Sequence, residues 1–301
     1  MQWLCLSCCL MHFCGQTTSF DLNIKTRDRE CIKVQCIRLH IKETEMLCLR
    51  DFIVFISVIV LIVQSSDGSE IIGGKEVQPH SLPFMALLQR PLCGGILISP
   101  TWVLTAAHCA DIKEVLLGVH SIKESETESR QVREVVSHVR HPCYDAENYA
   151  NDLMLIKLDK PVSQTKTVKC LNLGKTVRDP AAGTSCLVAG WGKTNNMGRK
   201  MSDVLRSVNV TVIDRVLCNT GEYYSLNPVI TSGMICAGSD GKNVADTCEG
   251  DSGGPLLCNG ELIGVTSFGQ KCGLIKKPGV YSFLSQKQLK WIKKTLDKSE
   301  I

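Results

Sequence analysis

Gly250-Asp251-Ser252-Gly253-Gly254-Pro255 sets a serine in the middle of a run of small residues closed by a proline. Serine is a poor nucleophile until a base takes its proton, and the oxyanion formed on attack needs donors aimed at it. Glycines on both sides let the backbone turn tightly and present its N–H groups. A bare Gly-x-Ser-x-Gly reads equally well as a hydrolase elbow or a plain turn. The flanking Asp251 and Pro255 tip this stretch toward chemistry.

A nucleophilic serine requires a base. Of seven histidines, His108 stands out, because Leu104-Thr105-Ala106-Ala107-His108-Cys109 puts it at the end of an apolar run and beside a cysteine. The third member, an acid to orient the imidazole, is best filled by Asp152 in Asn151-Asp152-Leu153-Met154-Leu155. There a carboxylate opens an apolar strand, a costly place for a charge without a partner. Taken alone, Asp152 caps a strand; with the other two it completes a triad in the order His, Asp, Ser.

From Ile71 onward the surrounding pattern is all-β. Phe84 to Leu88, Ile96 to Ile98, Trp102 to Thr105 and Val115 to Leu117 are short apolar runs separated by Gly and Pro, as in a sandwich or barrel. Leu153 to Leu158, Cys186 to Trp191, Val204 to Ile213 and Glu261 to Thr266 continue it. In Val208-Asn209-Val210-Thr211-Val212 the valines share one face, as a half-buried strand requires. Leu289, Ile292 and Leu296 fall instead at helical spacing among lysines, which predicts a C-terminal amphipathic helix.

Seven of the 17 cysteines lie in the first 48 residues, and the ten from Cys93 onward are scattered. Zinc needs paired ligands at short spacing, which that later part lacks, so its cysteines read as disulfides made in an oxidising compartment. Cys5-Leu6-Ser7-Cys8 has metal-like spacing but stands alone. Phe52 to Val63 is an apolar run of 12 after Arg50 and before the small, polar Ser65 to Ser69. It suits a signal-peptide core better than a type II membrane anchor. The expected division is an upstream extension over 1–45, a signal peptide over 46–68, a dipeptide over 69–70 and one domain over 71–301. The formal net charge of +4 permits contact with acidic polymers without demanding it.

Thr105 to Cys109, Asp152-Leu153 and Gly250 to Pro255 together resemble the chymotrypsin family in order and spacing, from Ile71 to about Leu296. The resemblance implies an all-β fold of two six-stranded antiparallel β-barrels with a C-terminal α-helix and the site between the barrels. It implies His108 as general base and then acid, Asp152 as its orienter and Ser252 as nucleophile, a scheme taken over from the family. The backbone N–H groups of Gly250 and Ser252 become the oxyanion hole, and no metal or organic cofactor is implied. Four disulfides follow from the same likeness: Cys93–Cys109, Cys186–Cys258, Cys218–Cys236 and Cys248–Cys272. Cys143 and Cys170 are left over.

Asp246, six residues before Ser252, matches the floor of the trypsin-like primary pocket, and Gly269 and Gly279 match its walls. Thr247 and Ser267 join them as substrate-binding residues. A buried carboxylate at the end of an open slot selects protein substrates with Arg or Lys before the scissile bond.

Ile71-Ile72-Gly73-Gly74 matches the N-terminus that such enzymes free on activation, with Asp251 as the acid that receives its ammonium. The preceding Ser69-Glu70 is not the Arg or Lys of digestive zymogens. It resembles the acidic dipeptide of the granzymes, secreted granule proteases of leukocytes, which a dipeptidyl peptidase removes. Ile71 to Val77, His141 to Asp145 and Gly264 to Gly269 are most similar to the A-type granzymes, with the K-type next. The A-type likeness implies a disulfide-linked homodimer through Cys143, while Cys170 is free, paired with Cys143 or bound to something else. It also implies cytolytic granule storage with an acidic proteoglycan as partner, and requires no nucleic acid. Asn209-Val210-Thr211 is a glycosylation sequon. The competing reading is an inactive homologue that binds other proteins; such homologues usually lose a triad member, and here all three are present.

Overall fold

Trp102-Val103-Leu104-Thr105 is the shortest complete statement of the fold: four residues, all buried, with a partner strand on either side. A strand covered on both faces reads as a continuous apolar run, which is how this stretch is written. The computed structural model describes residues 71–175, 178–194 and 200–298. The expected upstream extension, signal peptide and Ser69-Glu70 dipeptide lie outside the described residues.

The first half of the described chain carries β1 (Lys75–Glu76), β2 (Met85–Gln89), β3 (Leu92–Ser99), β4 (Trp102–Thr105), β5 (Glu114–Leu117), β6 (Gln131–Arg140) and β7 (Met154–Leu158). Strands β2 to β7 close into a barrel in the order β2-β3-β4-β7-β6-β5, every pair antiparallel. Its interior is filled by Leu88, Leu97, Val103, Val115, Leu117 and Ile156.

The second half carries β8 (Ser185–Gly190), β9 (Arg206–Ile213), the short helix α1 (Arg215–Cys218), β10 (Met234–Gly238), β11 (Pro255–Cys258), β12 (Glu261–Phe268), β13 (Gly279–Phe283) and the terminal helix α2 (Gln286–Lys298). Strands β9-β10-β13-β12-β11-β8 form a second antiparallel barrel, closed by β8 on β9, with β1 attached to the outside of β9. Asp214 caps α1 by accepting the Leu217 N–H, as N-cap carboxylates do. The fold expected from the sequence is the one observed.

Between the barrels lies a shared apolar layer in which Ile96, Leu104 and Leu155 of the first meet Leu257 and Val265 of the second. Ile292 of α2 is buried in the same layer, with Leu289 and Leu296 packed beside it, so the predicted apolar stripe is what holds the helix down. Four disulfides join Cys93 to Cys109, Cys186 to Cys258, Cys218 to Cys236 and Cys248 to Cys272, the pairs the resemblance implies. Cys143 is free and exposed, and Cys170 is free and half-buried against the first barrel's core.

Candidate active site

Strand β4 ends at Thr105, and two fully buried alanines carry the chain to His108. The Cys93–Cys109 disulfide fixes the following residue to β3. Asp152 stands two residues before β7, with no exposed surface. Because β4 and β7 are neighbours in the barrel, the ends of these two strands meet. The His108 Nδ1–H donates to Asp152 Oδ2 at 2.7 Å, and the His108 backbone N–H donates to Oδ1 at 3.0 Å. Two further donors come from the second barrel: Ser267 Oγ to Oδ2 at 2.5 Å, and Ser282 Oγ to the Asp152 carbonyl at 3.1 Å. The burial that looked costly in sequence is therefore fully compensated.

Ser252 follows β10 on a turn bounded by two glycines in the left-handed region, Gly250 at φ 95° and Gly253 at φ 80°. At Gly253 a β-carbon would sit 2.1 Å from Thr105 Oγ1 and 2.4 Å from the Gly94 carbonyl, so only glycine fits. The Gly94 N–H donates to the Ser252 carbonyl at 2.7 Å. The serine loop is thus clamped onto β3 and β4 of the opposite barrel, and Ser252 and His108 line one cavity. Among the described contacts no hydrogen bond joins the serine hydroxyl to the imidazole; such bonds tighten on substrate binding. The Gly250 and Ser252 N–H groups donate to no carbonyl among the described residues.

The cavity encloses about 220 Å³, and Asp246 is part of its lining. Asp246 is 3% exposed. Its Oδ2 accepts the Gly273 N–H at 2.8 Å, while Oδ1 is buried without a partner among the described residues. Burial pushes this carboxyl up to about 7, opposed by backbone donors from Gly273, Thr247 and Gly279. Gly279 stands against it, since a β-carbon there would lie 3.1 Å from Asp246 Oδ1. Gly269 lines the cavity wall. Thr247 lines it too, with its hydroxyl 3.3 Å from that of Tyr281. Ser267 lines the same cavity, but its hydroxyl is spent on Asp152, so its side chain serves the acid.

Tyr149, Glu249 and the glycine walls around Asp251 went unread in the sequence. The Tyr149 ring lies edge-on to His108 at 6.0 Å and stacks on Phe268 at 4.9 Å, walling one side of the cavity. Glu249 lines its lip and is ion-paired with Lys193. Asp251 is wholly buried and accepts the N–H groups of Gly192 (2.7 Å) and Cys248 (2.9 Å). A β-carbon at either Gly190 or Gly192 would strike its carboxylate, so the Gly-Trp-Gly at 190–192 was the signal for this slot. Burial pushes the Asp251 carboxyl up to about 7. Ile71 is fully buried, and the Ile72 carbonyl accepts the Asp246 N–H at 3.1 Å.

Away from the cavity, Asn209 is exposed on β9, opposite Leu187. The Cys143 backbone is held at both ends, its N–H by His141 Nδ1 (3.2 Å) and its carbonyl by the Asn151 side chain (2.9 Å). Burial, helped by Lys287, pushes the His141 imidazole down.

Two antiparallel barrels with an aspartate, a histidine and a serine converging at their junction define a chymotrypsin-fold serine protease. The Trypsin family profile matches residues 71–292, and the chain belongs to that family. It is a serine endopeptidase. It is 48% identical to granzyme A of Bos taurus over 75% of this chain and 88% of that one. With kallikrein-4 of Homo sapiens it shares 43% identity over 78% of this chain and 91% of the relative. The solved structure of neuropsin, a serine protease expressed in the limbic system of mouse brain, superposes with a TM-score of 0.66. That pair shares 38% identity over 74% of this chain and 98% of neuropsin.

Proposed function

We propose that the protein is a secreted, A-type granzyme-like endopeptidase that cleaves after Arg or Lys and is latent until Ser69-Glu70 is removed. One observation carries this reading: a buried carboxylate, Asp246, with an unpartnered oxygen in the lining of the cavity that also holds His108 and Ser252. A buried acceptor left unsatisfied costs free energy that a substrate guanidinium or ammonium recovers. Ser252 Oγ attacks the scissile carbonyl as His108 takes its proton, and the Gly250 and Ser252 N–H groups receive the oxyanion. His108 then protonates the leaving amine, and water releases the acyl group by the same route. Asp152 holds the imidazole throughout.

The buried Asp251 carboxylate suits the ammonium that forms when cleavage by a dipeptidyl peptidase frees Ile71. Four disulfides support an oxidising destination reached through the 46–68 signal, with storage in cytolytic granules on an acidic proteoglycan. The exposed Cys143 suits a covalent homodimer, and the exposed Asn209 suits a glycan that an N-glycanase will remove. The likeness to kallikrein-4 favours a second reading, an extracellular trypsin-like enzyme; Glu70 separates the two, because trypsin-like activators cut after Arg or Lys.

The test is a panel of peptide substrates assayed with protein beginning at Ile71 and at Ser69. Cleavage after Arg or Lys by the Ile71 form alone is expected, and a preference for Phe, Leu or Asp overturns the pocket assignment. Non-reducing electrophoresis of wild type and Cys143→Ser tests the dimer, and a wild type that runs as a monomer removes it.

A further inference from the structure

We infer that the Glu76–His120 hydrogen bond is a clasp that holds the freed N-terminal segment in its docked position, making both side chains positioning residues for the active state. The inference rests on the activation reading above and adds to it the device that keeps the enzyme switched on.

Between Ile71 and Val77 the chain crosses from the neighbourhood of Asp246 to the outside of the second barrel. Strand β1 is only two residues long, paired through Lys75 to Ser207 and Glu76 to Arg206. Two ladder positions are a weak hold for a segment that must stay inserted. Backbone carbonyls and N–H groups add to it, with the Val77 N–H donating to the Leu205 carbonyl at 3.1 Å, the Ile72 carbonyl accepting from the Asp246 N–H at 3.1 Å and the Gly74 carbonyl accepting from Arg206 at 3.3 Å. The Glu76 side chain supplies a further bond: the His120 Nε2–H donates to its Oε1 at 2.8 Å. His120 belongs to the loop after β5 of the first barrel, so this bond ties the N-terminal segment across to that barrel, beside the packing of Val77 on Leu116 and Val119.

His120 is itself anchored. It is 6% exposed, its backbone N–H donates to Glu126 Oε2 at 2.8 Å, and its carbonyl accepts two donors. One is the Leu205 N–H at 2.9 Å, just before β9; the other is the Trp191 indole N–H at 2.9 Å. Trp191 is followed by Gly192, whose N–H is bound by Asp251. The clasp therefore runs from the far end of the docked segment, through one buried residue, to the loop that cradles the acid this segment must reach. His120 Nδ1 is buried without a partner among the described residues, so Glu76 is the one hydrogen-bonding partner of the ring there. Losing it frees both the ring and the segment.

Glu76 is half-exposed on an outer strand, so its replacement leaves the barrels intact. The experiment compares wild type, Glu76→Ala and Glu76→Gln, all beginning at Ile71, with the Ser69 form as reference. The first readout is the rate at which cyanate carbamoylates the Ile71 amine, followed by peptide mass. This rate reports how often the N-terminus leaves its site, which a merely destabilising substitution does not change while the protein stays folded. The second is the dissociation constant of benzamidine, a probe of the assembled pocket. We expect Glu76→Ala to carbamoylate about fivefold faster and bind benzamidine about threefold more weakly, as loss of one partly exposed charged hydrogen bond predicts. Glu76→Gln keeps an acceptor and restores most of both. An inactive Ser69 form together with a wild-type carbamoylation rate in Glu76→Ala overturns the clasp alone. A Ser69 form as active as the Ile71 form overturns the activation reading and the clasp with it.

Discussion

Asp152 and Asp246 are both withdrawn from water, one with no exposed surface and the other with 3%, yet their surroundings differ in kind. Asp152 sits at the junction of the barrels, with His108 donating twice and Ser267 once to its carboxylate. Asp246 sits inside the second barrel's loops with one oxygen bonded to Gly273 and the other bare. A carboxylate whose lone pairs are occupied orients its neighbour and does little else. One left half-satisfied in a cavity's lining is a binding site for a cation. On the proposed reading the same side chain positions in one place and recognises in the other, and whether both of its oxygens are occupied decides which.

The contrast can be broken at either end. Asp152→Asn should reduce kcat by about 10⁴ with KM little altered, a magnitude taken over from the family's triad rather than obtained from this geometry. If KM rises instead, Asp152 is binding substrate and the contrast fails. Asp246→Ser should cost roughly 10²–10³-fold in kcat/KM on an Arg substrate, as expected for removing one side of a buried charge pair. A uniform loss on Arg and on apolar substrates would place Asp246 in the scaffold.

The titration of Asp246 sharpens the point. Its carboxyl is pushed up to about 7 by burial, so acidification neutralises it before ordinary carboxylates. The ionised form binds a cation and the protonated form does not. The benzamidine association constant should therefore fall as pH drops through about 7, by up to about tenfold per unit. The fall should be absent in Asp246→Ser. A wild-type constant that stays flat to pH 5 contradicts an unpartnered carboxylate at the pocket floor.

The smallest effect belongs to Ser267→Ala, which removes one of the donors to Asp152. A loss of about fivefold in kcat with unchanged KM is expected from one hydrogen bond to a charged acceptor. A change confined to KM would leave Ser267 with the substrate-binding role its sequence position implied and none toward Asp152.

That added contact of Ser267 shows where sequence reading ran out. The triad candidates were legible because each is carried by local chemistry: a serine among glycines, a histidine beside a cysteine, an aspartate opening an apolar run; the barrel pair and the disulfide pairings came only with the family resemblance. Trp102 to Thr105 was read with its observed boundaries, because a strand buried on both faces is apolar throughout. The bond from Ser267 to Asp152 went unread because β12 leaves register with β13 between Thr266 and Phe268. A bulge restarts the alternation of faces, and nothing in the residue types announces it. Strand β6 was missed for another reason. Half-buried Arg133, Val135 and Ser137 alternate with exposed Val132, Glu134 and Val136, so neither face is consistently apolar. The slot for Asp251 was missed because its walls are two glycines, which declare only that something comes close.

The clamp between Gly94 and the Ser252 loop has a consequence for the history of each molecule. Its two sides come from opposite halves of the chain, and contacts between distant segments form late in folding. Neither barrel alone can hold Ser252 opposite His108, since Gly253 takes its shape against Thr105 and Gly94. A nascent chain therefore passes through its most digestible states while it has no working blade. Unfinished copies are harmless to one another by construction, a safeguard that precedes any later release of the N-terminus.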